Sequence, residues 1–391
     1  MDYTKVLTRE VQSLAPSGIR RFFSLAEEIE DCISLGVGEP DFSTPWIVRR
    51  AGIESLERGK TWYSANAGFR ELRVEISNYL KRRMNLTYNP DKEVMVTVGG
   101  SEAIDMAMRA CLEAGDELLL PTPSFVCYEP IARMCGAKVI PLVLQAENDF
   151  RLTAQQVQEA LTPRTKMLVL PFPNNPTGSI LEPEDLKAIA EVLKDTNVVV
   201  LSDEIYAELT YGQKHVSPAS LNEDMWQRTI TVNGFSKAFA MTGWRLGYAC
   251  APAPLLEQML KLHQYAIMCA PSTAQYAGIV AMRECDETIE QMRDEYDMRR
   301  RFLVDGFNRI GLTCFEPKGA FYVFPSIQST GLSSEDFCEE LLYGQKIAVV
   351  PGNAFGPGGE GHIRVSYSYS LDHLKKALRA IETFVKEKKG G

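Results

Sequence analysis

Two cations near the middle of the chain, Lys237 and Arg245, are the side chains best placed to carry chemistry. The apolar run at 229–232 predicts a strand, and the Asn-Gly pair at 233–234 predicts a turn directly after it. A lysine held close to the end of a buried strand is partly desolvated, which lowers its pKa and exposes a nucleophilic amine. Arg245 is flanked by two glycines, so the backbone can pass close to its guanidinium group.

An amine that can form a Schiff base, with a guanidinium fork nearby for a phosphate, suggests pyridoxal 5′-phosphate (PLP) as cofactor. Lys237 taken alone favours an ordinary surface loop, because most lysines are solvated. The complete string, Gly234-Phe-Ser-Lys237 and then Gly243-Trp-Arg245-Leu-Gly247, resembles the Schiff-base lysine signature of the class I/II aminotransferases of PLP fold type I. The resemblance implies a PLP-dependent aminotransferase in which Ser236, Lys237 and Arg245 contact the cofactor.

A second informative stretch is the apolar run at 197–201, which is followed by Asp203 and Tyr206. Such a run is typical of a strand buried on both faces, and ligands of open α/β sheets bind at the carboxyl ends of such strands. A carboxylate there can keep a pyridine nitrogen protonated, although Asp203 could equally be a helix N-cap. The resemblance assigns Asp203 to the pyridine nitrogen and Tyr206 to the 3′-oxygen of the cofactor, and makes both catalytic together with Lys237.

A phosphate site is predicted where the short strand at 94–98 is followed by two glycines and a helix with Ser101 as its N-cap. The free N–H groups and the dipole of a helix N-terminus favour anions. An ordinary βα turn is about equally compatible with these residues alone. The need for an anion beside Arg245 favours phosphate, bound by Gly100, Ser101 and Glu102.

Three more cofactor contacts come from the resemblance. Phe125 falls where the family places the aromatic ring that stacks on the cofactor, a position where many members carry tryptophan or tyrosine, whereas the sequence alone favours a core residue. Asn175 lies in an Asn-Pro-Thr-Gly loop that would otherwise be an ordinary turn, and its family counterpart bonds the 3′-oxygen. Tyr63 matches a tyrosine that reaches the phosphate of the neighbouring subunit.

The substrate residues implied by the resemblance are Gly38, Asn175, Arg364 and Ile19. The Gly38 backbone N–H and the Arg364 fork would bind the α-carboxylate, while Ile19 belongs to a segment that lines the substrate. From the residues alone, Gly38 favours a plain loop and Arg364 an exposed position on a strand at 362–367.

No second arginine stands in a motif known to bind a distal carboxylate. Arg20 and Arg21 are candidates only because they are close to Ile19. A pocket with apolar walls discriminates weakly between side chains of similar size. Within the family, the chain resembles the microbial aspartate/aromatic aminotransferases, which implies aromatic, aspartate-like or other large amino donors. We therefore expect a moderately broad enzyme that favours aromatic or other large donors, with 2-oxoglutarate as acceptor.

The composition excludes several classes of protein. The chain has 391 residues, 45% of them hydrophobic and 24% charged, which is typical of a globular protein with a large core. The net charge of −9 argues against a nucleic-acid partner. No apolar run approaches the length of a membrane span, and the N-terminus lacks a signal-peptide core. Nine scattered cysteines predict reduced, mostly buried thiols in a cytoplasmic protein, and four isolated histidines offer no metal site.

Strands and helices alternate from about 46 to 285, which predicts a large α/β domain with a mostly parallel sheet. Residues 1–45 are interpreted as an N-terminal arm and part of a small domain, and 286–391 as the small C-terminal domain. Within it we expect a strand at 318–324, and residues 282–310 predict one long charged helix. The resemblance covers nearly the whole chain and implies a homodimer with its active site at the subunit interface.

Two other classes of function fit parts of this pattern. A different PLP reaction on the same scaffold, such as a C–S β-lyase or an aminocyclopropane-carboxylate synthase, would share every cofactor residue, and an N-acetyl-diaminopimelate aminotransferase would differ only in its donor. A PLP-sensing transcription regulator would need an attached DNA-binding domain, and no N-terminal segment is long or basic enough. The full set of motifs favours amino transfer.

Overall fold

The strands form three sheets in the computed structural model, which describes residues 1–16 and 18–390. The strands are β1 (Ile33–Ser34), β2 (Val94–Thr97), β3 (Glu117–Thr122), β4 (Lys138–Val143), β5 (Thr165–Leu170), β6 (Val199–Asp203), β7 (Thr229–Gly234), β8 (Gly247–Cys250), β9 (Tyr322–Val323), β10 (Ile347–Ala348), β11 (Val350–Pro351) and β12 (Ile363–Ser366). The α-helices are α1 (Arg9–Ser13), α2 (Gly18–Glu27), α3 (Trp46–Glu57), α4 (Arg70–Met84), α5 (Gly100–Cys111), α6 (Tyr128–Met134), α7 (Ala154–Ala160), α8 (Pro183–Leu193), α9 (Glu223–Arg228), α10 (Ala253–Ala266), α11 (Ser272–Glu284), α12 (Asp286–Arg309), α13 (Ser334–Gln345) and α14 (Leu371–Gly390).

The largest sheet has seven strands in the order β2-β8-β7-β6-β5-β3-β4. Only β8 runs antiparallel to its neighbours, β2 and β7, so the predicted mostly parallel sheet is confirmed. Strands β2, β3, β7 and β8 are buried along their whole length, because helices cover both faces of the sheet. The apolar runs in the sequence therefore mark the centre of the protein.

The two smaller sheets bring together distant parts of the chain. Strand β1 pairs in parallel with β10, and β11, β12 and β9 form an antiparallel sheet in which β12 is central. Helices α12, α13 and α14 pack against these strands around one apolar cluster, which includes Leu303, Phe337 and Ile381. This packing places Arg364, on the central strand, beside the carboxyl edge of the large sheet.

Three predicted elements differ from the structure. Ser101 is not the N-cap of α5, because the helix already begins at Gly100 and Gly99 occupies the cap position. The expected strand at 318–324 shortens to β9, since Ala320 adopts a left-handed φ of 57° that interrupts extended pairing. The expected single helix at 282–310 is two helices, with a break at Cys285.

Charged groups stabilise the helix N-terminus that follows the break at Cys285. Asp286 and Glu287 open the first turn of α12, where negative charge is stabilised by the helix dipole. The Asp286 carboxylate also receives two hydrogen bonds of 2.9 Å from Arg82 on α4. A new helix N-terminus is therefore favoured at a point where the charge pattern alone suggested continuity.

No helix in the described ranges is both long and apolar enough to cross a bilayer. All nine cysteines are unpaired; four are buried and five are partly exposed, so fewer are buried than the sequence suggested.

The start of β8 is packed too tightly for any side chain. A Cβ atom on Gly247 would lie 2.5 Å from the Gly99 carbonyl carbon and 2.7 Å from the Gly100 nitrogen. We expect Gly247→Ala to lower the free energy of unfolding by about 1–3 kcal/mol, because backbone must shift to admit the methyl group. Gly243→Ala is the matched control, since nothing lies within 4 Å of its Cβ position. Equal denaturation midpoints for the two variants would contradict this account.

Candidate active site

One cavity of about 350 Å³ lies at the carboxyl ends of β2, β3, β5, β6 and β7, beside the segment that precedes β8. Cavities at this edge of an open α/β sheet are the usual ligand sites of such folds. Twelve of the predicted site residues line it: Ile19, Gly38, Gly100, Ser101, Phe125, Asn175, Asp203, Tyr206, Ser236, Lys237, Arg245 and Arg364. Sequence reasoning thus collected residues that are up to 345 positions apart in the chain (364 − 19).

Lys237 lies just beyond the end of β7. The predicted turn at Asn233 and Gly234 is wrong, because both residues extend β7 and pair with β8. Its Nζ donates a hydrogen bond to the Gly38 carbonyl oxygen and lies 5.7 Å from the centre of the Tyr206 ring. Burial lowers the pKa of Lys237 to about 8, from an ordinary value of 10.5. Glu39 opposes this shift, while the cations of Arg364 and Arg245 strengthen it.

Asp203 is the last residue of β6 and is only 8% exposed. Its Oδ2 accepts a hydrogen bond of 2.7 Å from the Tyr128 hydroxyl, and its Oδ1 accepts one of 3.1 Å from the Ile205 backbone. Burial raises the pKa of Asp203, and these two hydrogen bonds oppose that rise by stabilising the carboxylate. The carboxylate is therefore held in a fixed direction at the floor of the cavity.

An anion cradle is formed by the turn before α5 and by Arg245. Gly99 has a φ of 78°, and a Cβ atom there would lie 2.6 Å from Nη2 of Arg245, so only glycine lets the guanidinium approach the turn. The first turn of α5, Gly100 to Glu102, presents backbone N–H groups that the helix leaves unpaired. Arg245 itself has a φ of 53° and donates from Nη1 to the Thr242 carbonyl oxygen at 3.1 Å.

The side chain of Glu102 does not belong to the cavity. Its Oε2 accepts a hydrogen bond of 2.5 Å from the Val98 backbone, and its Oε1 lies 2.6 Å from Nδ1 of the buried His263. The predicted contact of Glu102 with the cofactor phosphate therefore rests on its backbone, while its carboxylate closes the turn from behind. Only its backbone N–H remains available to an anion.

Arg364 projects from β12 and is almost fully buried. Nη1 donates to Oδ1 of Asn175 at 2.8 Å, and Nη2 donates to the Gly36 carbonyl oxygen at 2.5 Å, whereas the buried Nε has no partner in the described chain. The loop at 174–177 is closed by Asn174, whose Oδ1 accepts hydrogen bonds from the N–H and the hydroxyl of Thr177. The side chain of Asn175 is therefore left free to face Arg364. Burial lowers the pKa of Arg364, so an incoming carboxylate would relieve a poorly solvated cation.

The remaining predicted wall residues come from two separate segments. Ile19, on α2, packs in a small apolar cluster with Val350 and Phe355. Phe125 is half-buried, with its ring at 83° to that of Tyr128. Such placements give the cavity apolar walls around its charged floor.

Two expectations for the N-terminal segment have different outcomes. Arg21 does not reach the cavity, because it forms ion pairs with Glu335, at 3.3 Å, and with Glu339 on α13. It is therefore excluded as a ligand for a distal carboxylate within this chain. The side chain of Arg20 and the whole of Ser17 lie outside the described residues.

Tyr63 is exposed, with 79% of its surface accessible to solvent, and it does not line the cavity of its own chain. Sequence reasoning also missed residues that do line it, notably Tyr128, Tyr322, Glu39, Ile104 and Thr242. Tyr128 could have been suspected because it stands three residues after Phe125, but nothing in the local pattern distinguishes Tyr322 from a core residue.

The geometry suits PLP. The Gly99 turn and Arg245 form a cradle for a phosphate, a buried carboxylate stands at the cavity floor, and a lysine amine with a lowered pKa faces the same space. An α/β fold with these three groups at the carboxyl edge of its sheet defines a PLP-dependent enzyme.

Comparison with known proteins narrows this class. Residues 30–381 match the family model described as aminotransferase class I and II. The chain is 44% identical to an aspartate aminotransferase of Pyrococcus abyssi, over 96% of this chain and 97% of the relative. It is 42% identical to aromatic-amino-acid aminotransferase 2 of Thermococcus litoralis, over 98% and 99% of the two chains. The solved structure of aspartate aminotransferase from Thermus thermophilus with maleate has a TM-score of 0.92 at 36% identity, covering 96% of this chain and 99% of that one.

The chain therefore belongs to the class I and II aminotransferase family. It is a PLP-dependent aminotransferase that acts on amino acid and oxo acid substrates.

The lowered pKa of Lys237 predicts how its amine reacts in the cofactor-free protein. Below pH 8 the amine is protonated and unreactive, and above it the amine is neutral and nucleophilic. Labelling of Lys237 by formaldehyde and cyanoborohydride, followed by peptide mass spectrometry, should be half-maximal near pH 8. Arg364→Gln should move the midpoint upward, because one cation that opposes the ammonium form is removed. A wild-type midpoint above pH 10, near the ordinary lysine value, would refute the account.

Proposed function

We propose that this aminotransferase moves the amino group of L-amino acids with aromatic or other large side chains to 2-oxoglutarate. The observation that carries the proposal is the distribution of charge in the cavity. Its only cations in the described chain are Lys237, Arg245 and Arg364, and each has a task common to all donors. Ile19, Val37 and the other apolar lining residues form walls that favour a large substrate side chain over a second carboxylate.

Arg364 and Asn175 are proposed to orient the substrate. Arg364 lines the cavity, and each of its two terminal nitrogens has a second N–H besides its bond to Asn175 or to the Gly36 carbonyl oxygen. The fork can therefore take both oxygens of an α-carboxylate, with the Gly38 N–H as a further donor. Asn175 already holds one arm of the fork, so its direction is set before substrate enters. Positioning of this kind makes the α-proton reachable from one face only.

Lys237 is proposed to move the α-proton. Bound PLP supplies an aldehyde carbon and an electron-withdrawing ring. The Lys237 amine, with its pKa near 8, can take the proton as general base and return it as general acid near neutral pH. With the cofactor bound, Asp203 would keep a proton on the pyridine nitrogen, and Tyr206 would donate to the 3′-oxygen of the ring. The cradle at Gly100 and Ser101, with Ser236 and Arg245, would hold the phosphate, and Phe125 would stack on the ring.

A second copy of the chain is proposed to complete the site. The exposed Tyr63 lies in a loop that is tied to the segment after α10 by a hydrogen bond of 2.9 Å from Asn66 to the Met268 carbonyl oxygen. Trp62, next to Tyr63 in the chain, and Tyr265, near the end of α10, are 74% and 87% exposed. A concentration of exposed large apolar side chains is typical of a protein interface. A homodimer would bury this surface and let Tyr63 reach the phosphate of the partner.

We also propose domain bounds and a cellular location. Residues 46–285 would form the large domain that holds the cofactor, and 286–391, with part of 1–45, the small domain that carries Arg364. Unpaired thiols and an aminotransferase activity in amino acid metabolism and biosynthesis suit the cytoplasm, where thiols stay reduced.

The substrate proposal is tested by steady-state kinetics with a panel of donors and 2-oxoglutarate. We expect turnover with phenylalanine, tyrosine and other large donors. Arg364→Lys should lower kcat/KM about ten- to a hundredfold for every donor alike, because a point charge replaces a fork on the part that all donors share. Arg21→Gln is the matched control and should leave the panel unchanged, since Arg21 is paired with Glu335 and Glu339.

Strict use of aspartate or of N-acetyl-diaminopimelate would overturn the proposed donor class while leaving amino transfer intact. A product other than an oxo acid would show that another PLP reaction dominates. Lys237→Ala should abolish turnover with every donor, which separates enzymatic from background reaction.

The role of Tyr63 is tested by mixing subunits at limiting PLP, where a lost phosphate contact weakens activity. Hybrids of Tyr63→Phe and Lys237→Ala chains should regain activity, because one of their two sites then contains both intact residues. Hybrids of wild type with the double variant Tyr63→Phe/Lys237→Ala should stay weak, because each site lacks one residue. The reverse pattern would place Tyr63 in its own chain's site.

A further inference from the structure

Tyr322 lies between the part of the cavity that faces the cofactor and the part that binds the substrate carboxylate. It stands on β9, directly opposite Ser366 of β12, and is fully buried. Its ring centre is 4.5 Å from the central carbon of the Arg364 guanidinium, so cation and ring are in contact. The orientation of Arg364 thus depends on this ring as well as on Asn175.

The hydroxyl of Tyr322 is 2.8 Å from the hydroxyl of Tyr206. Each phenol has one proton to donate and can accept as well. If Tyr206 gives its proton to the ring oxygen of the cofactor, Tyr322 must be the donor between the two. The contact with Arg364 favours this direction, because a nearby cation makes the phenol proton a better donor.

The same hydroxyl explains why residue 38 is glycine. A Cβ atom on Gly38 would lie 2.4 Å from the Tyr322 oxygen, whereas the next ring atom, Cζ, is 3.6 Å away. Gly38 does not adopt the left-handed backbone that would by itself require glycine. The steric constraint on this loop therefore comes from one oxygen atom.

We propose that the Tyr322 hydroxyl is a positioning group that fixes the Tyr206 phenol and sets the distance between the Gly38 backbone and Arg364. The proposal rests on the proposed roles of Tyr206, Gly38 and Arg364. It makes Tyr322 the residue through which the cofactor-facing phenol and the carboxylate-binding groups share one geometry.

The test combines Tyr322→Phe with Gly38→Ala in the holoenzyme. The readouts are kcat/KM with phenylalanine and the Kd of 3-phenylpropionate, an unreactive carboxylate, followed by the absorbance of the bound cofactor. Tyr322→Phe should raise the Kd of 3-phenylpropionate about two- to tenfold, as expected for one lost hydrogen bond. Gly38→Ala should raise this Kd about ten- to a hundredfold, because the added methyl group overlaps the Tyr322 hydroxyl.

The double variant decides the proposal. With the oxygen removed, the nearest ring atom is at an ordinary contact distance, so Tyr322→Phe should restore carboxylate binding to the Gly38→Ala protein to within about tenfold of wild type. Tyr367→Phe is the matched control: its buried hydroxyl donates to the Ala320 carbonyl oxygen at 3.0 Å, in the same core but outside the cavity. It should lower the unfolding temperature without changing the Kd or rescuing Gly38→Ala.

Equal Kd values for wild type and Tyr322→Phe, or no rescue in the double variant, would overturn the proposal even if amino transfer proceeds normally. Loss of affinity in Tyr367→Phe equal to that in Tyr322→Phe would also overturn it, because the effect would then be general core destabilisation. Absence of turnover in the wild type would refute the proposed function instead, and carboxylate binding would still decide the role of the hydroxyl.

Discussion

The concentration of positive charge in one small cavity is the constraint on which the site depends. Lys237, Arg245 and Arg364 share about 350 Å³ with the carboxylates of Asp203 and Glu39. Removing charges from water is costly unless they are paired. Arginine retains its proton under nearly all conditions, so the lysine is the group that yields: burial, strengthened by the cations of Arg364 and Arg245, lowers its pKa to about 8. The enclosed cavity that can bind phosphate and carboxylate therefore also produces the nucleophile.

The fold fixes the directions of Arg245 and Arg364 before any ligand binds. The turn at Gly99 has no side chain, which lets Arg245 lie directly against it, and Glu102 closes the turn from the other side. Arg364 is fixed by Asn175, by the Gly36 carbonyl oxygen and by the Tyr322 ring. Groups that are oriented in advance lose little freedom when an anion binds, which favours binding and catalysis alike.

The sequence predicts those parts of the site whose chemistry is visible next to a strand end. Lys237 and Asp203 each follow an apolar run, so the edge of the sheet and its polar groups could be inferred together. Arg364 and Gly38 required the family resemblance, because each looks ordinary in its local pattern. Tyr128 and Tyr322 were missed, since their importance arises from contacts 75 and 116 residues away along the chain, with Asp203 and Tyr206.

The differences in secondary structure have the same origin. The left-handed Ala320 and the break at Cys285 are set by tertiary packing and by charges from other helices, which a local pattern does not contain. The local pattern likewise does not show where the carboxylate of Glu102 lies. A residue in the first turn of a helix can serve an anion through its backbone while its carboxylate bonds elsewhere, here to Val98 and His263.

The small cluster of Ile19, Val350 and Phe355 has an evolutionary consequence. It is separate from the four larger apolar clusters that hold the fold together, yet one of its members forms a wall of the cavity. Substitutions of Ile19 can resize the pocket while the cofactor cradle and the central sheet stay as they are, whereas Phe355 lies against the guanidinium of Arg364. A lineage can thus exchange one amino donor for another through tolerated changes at Ile19, without passing through forms that fail to fold.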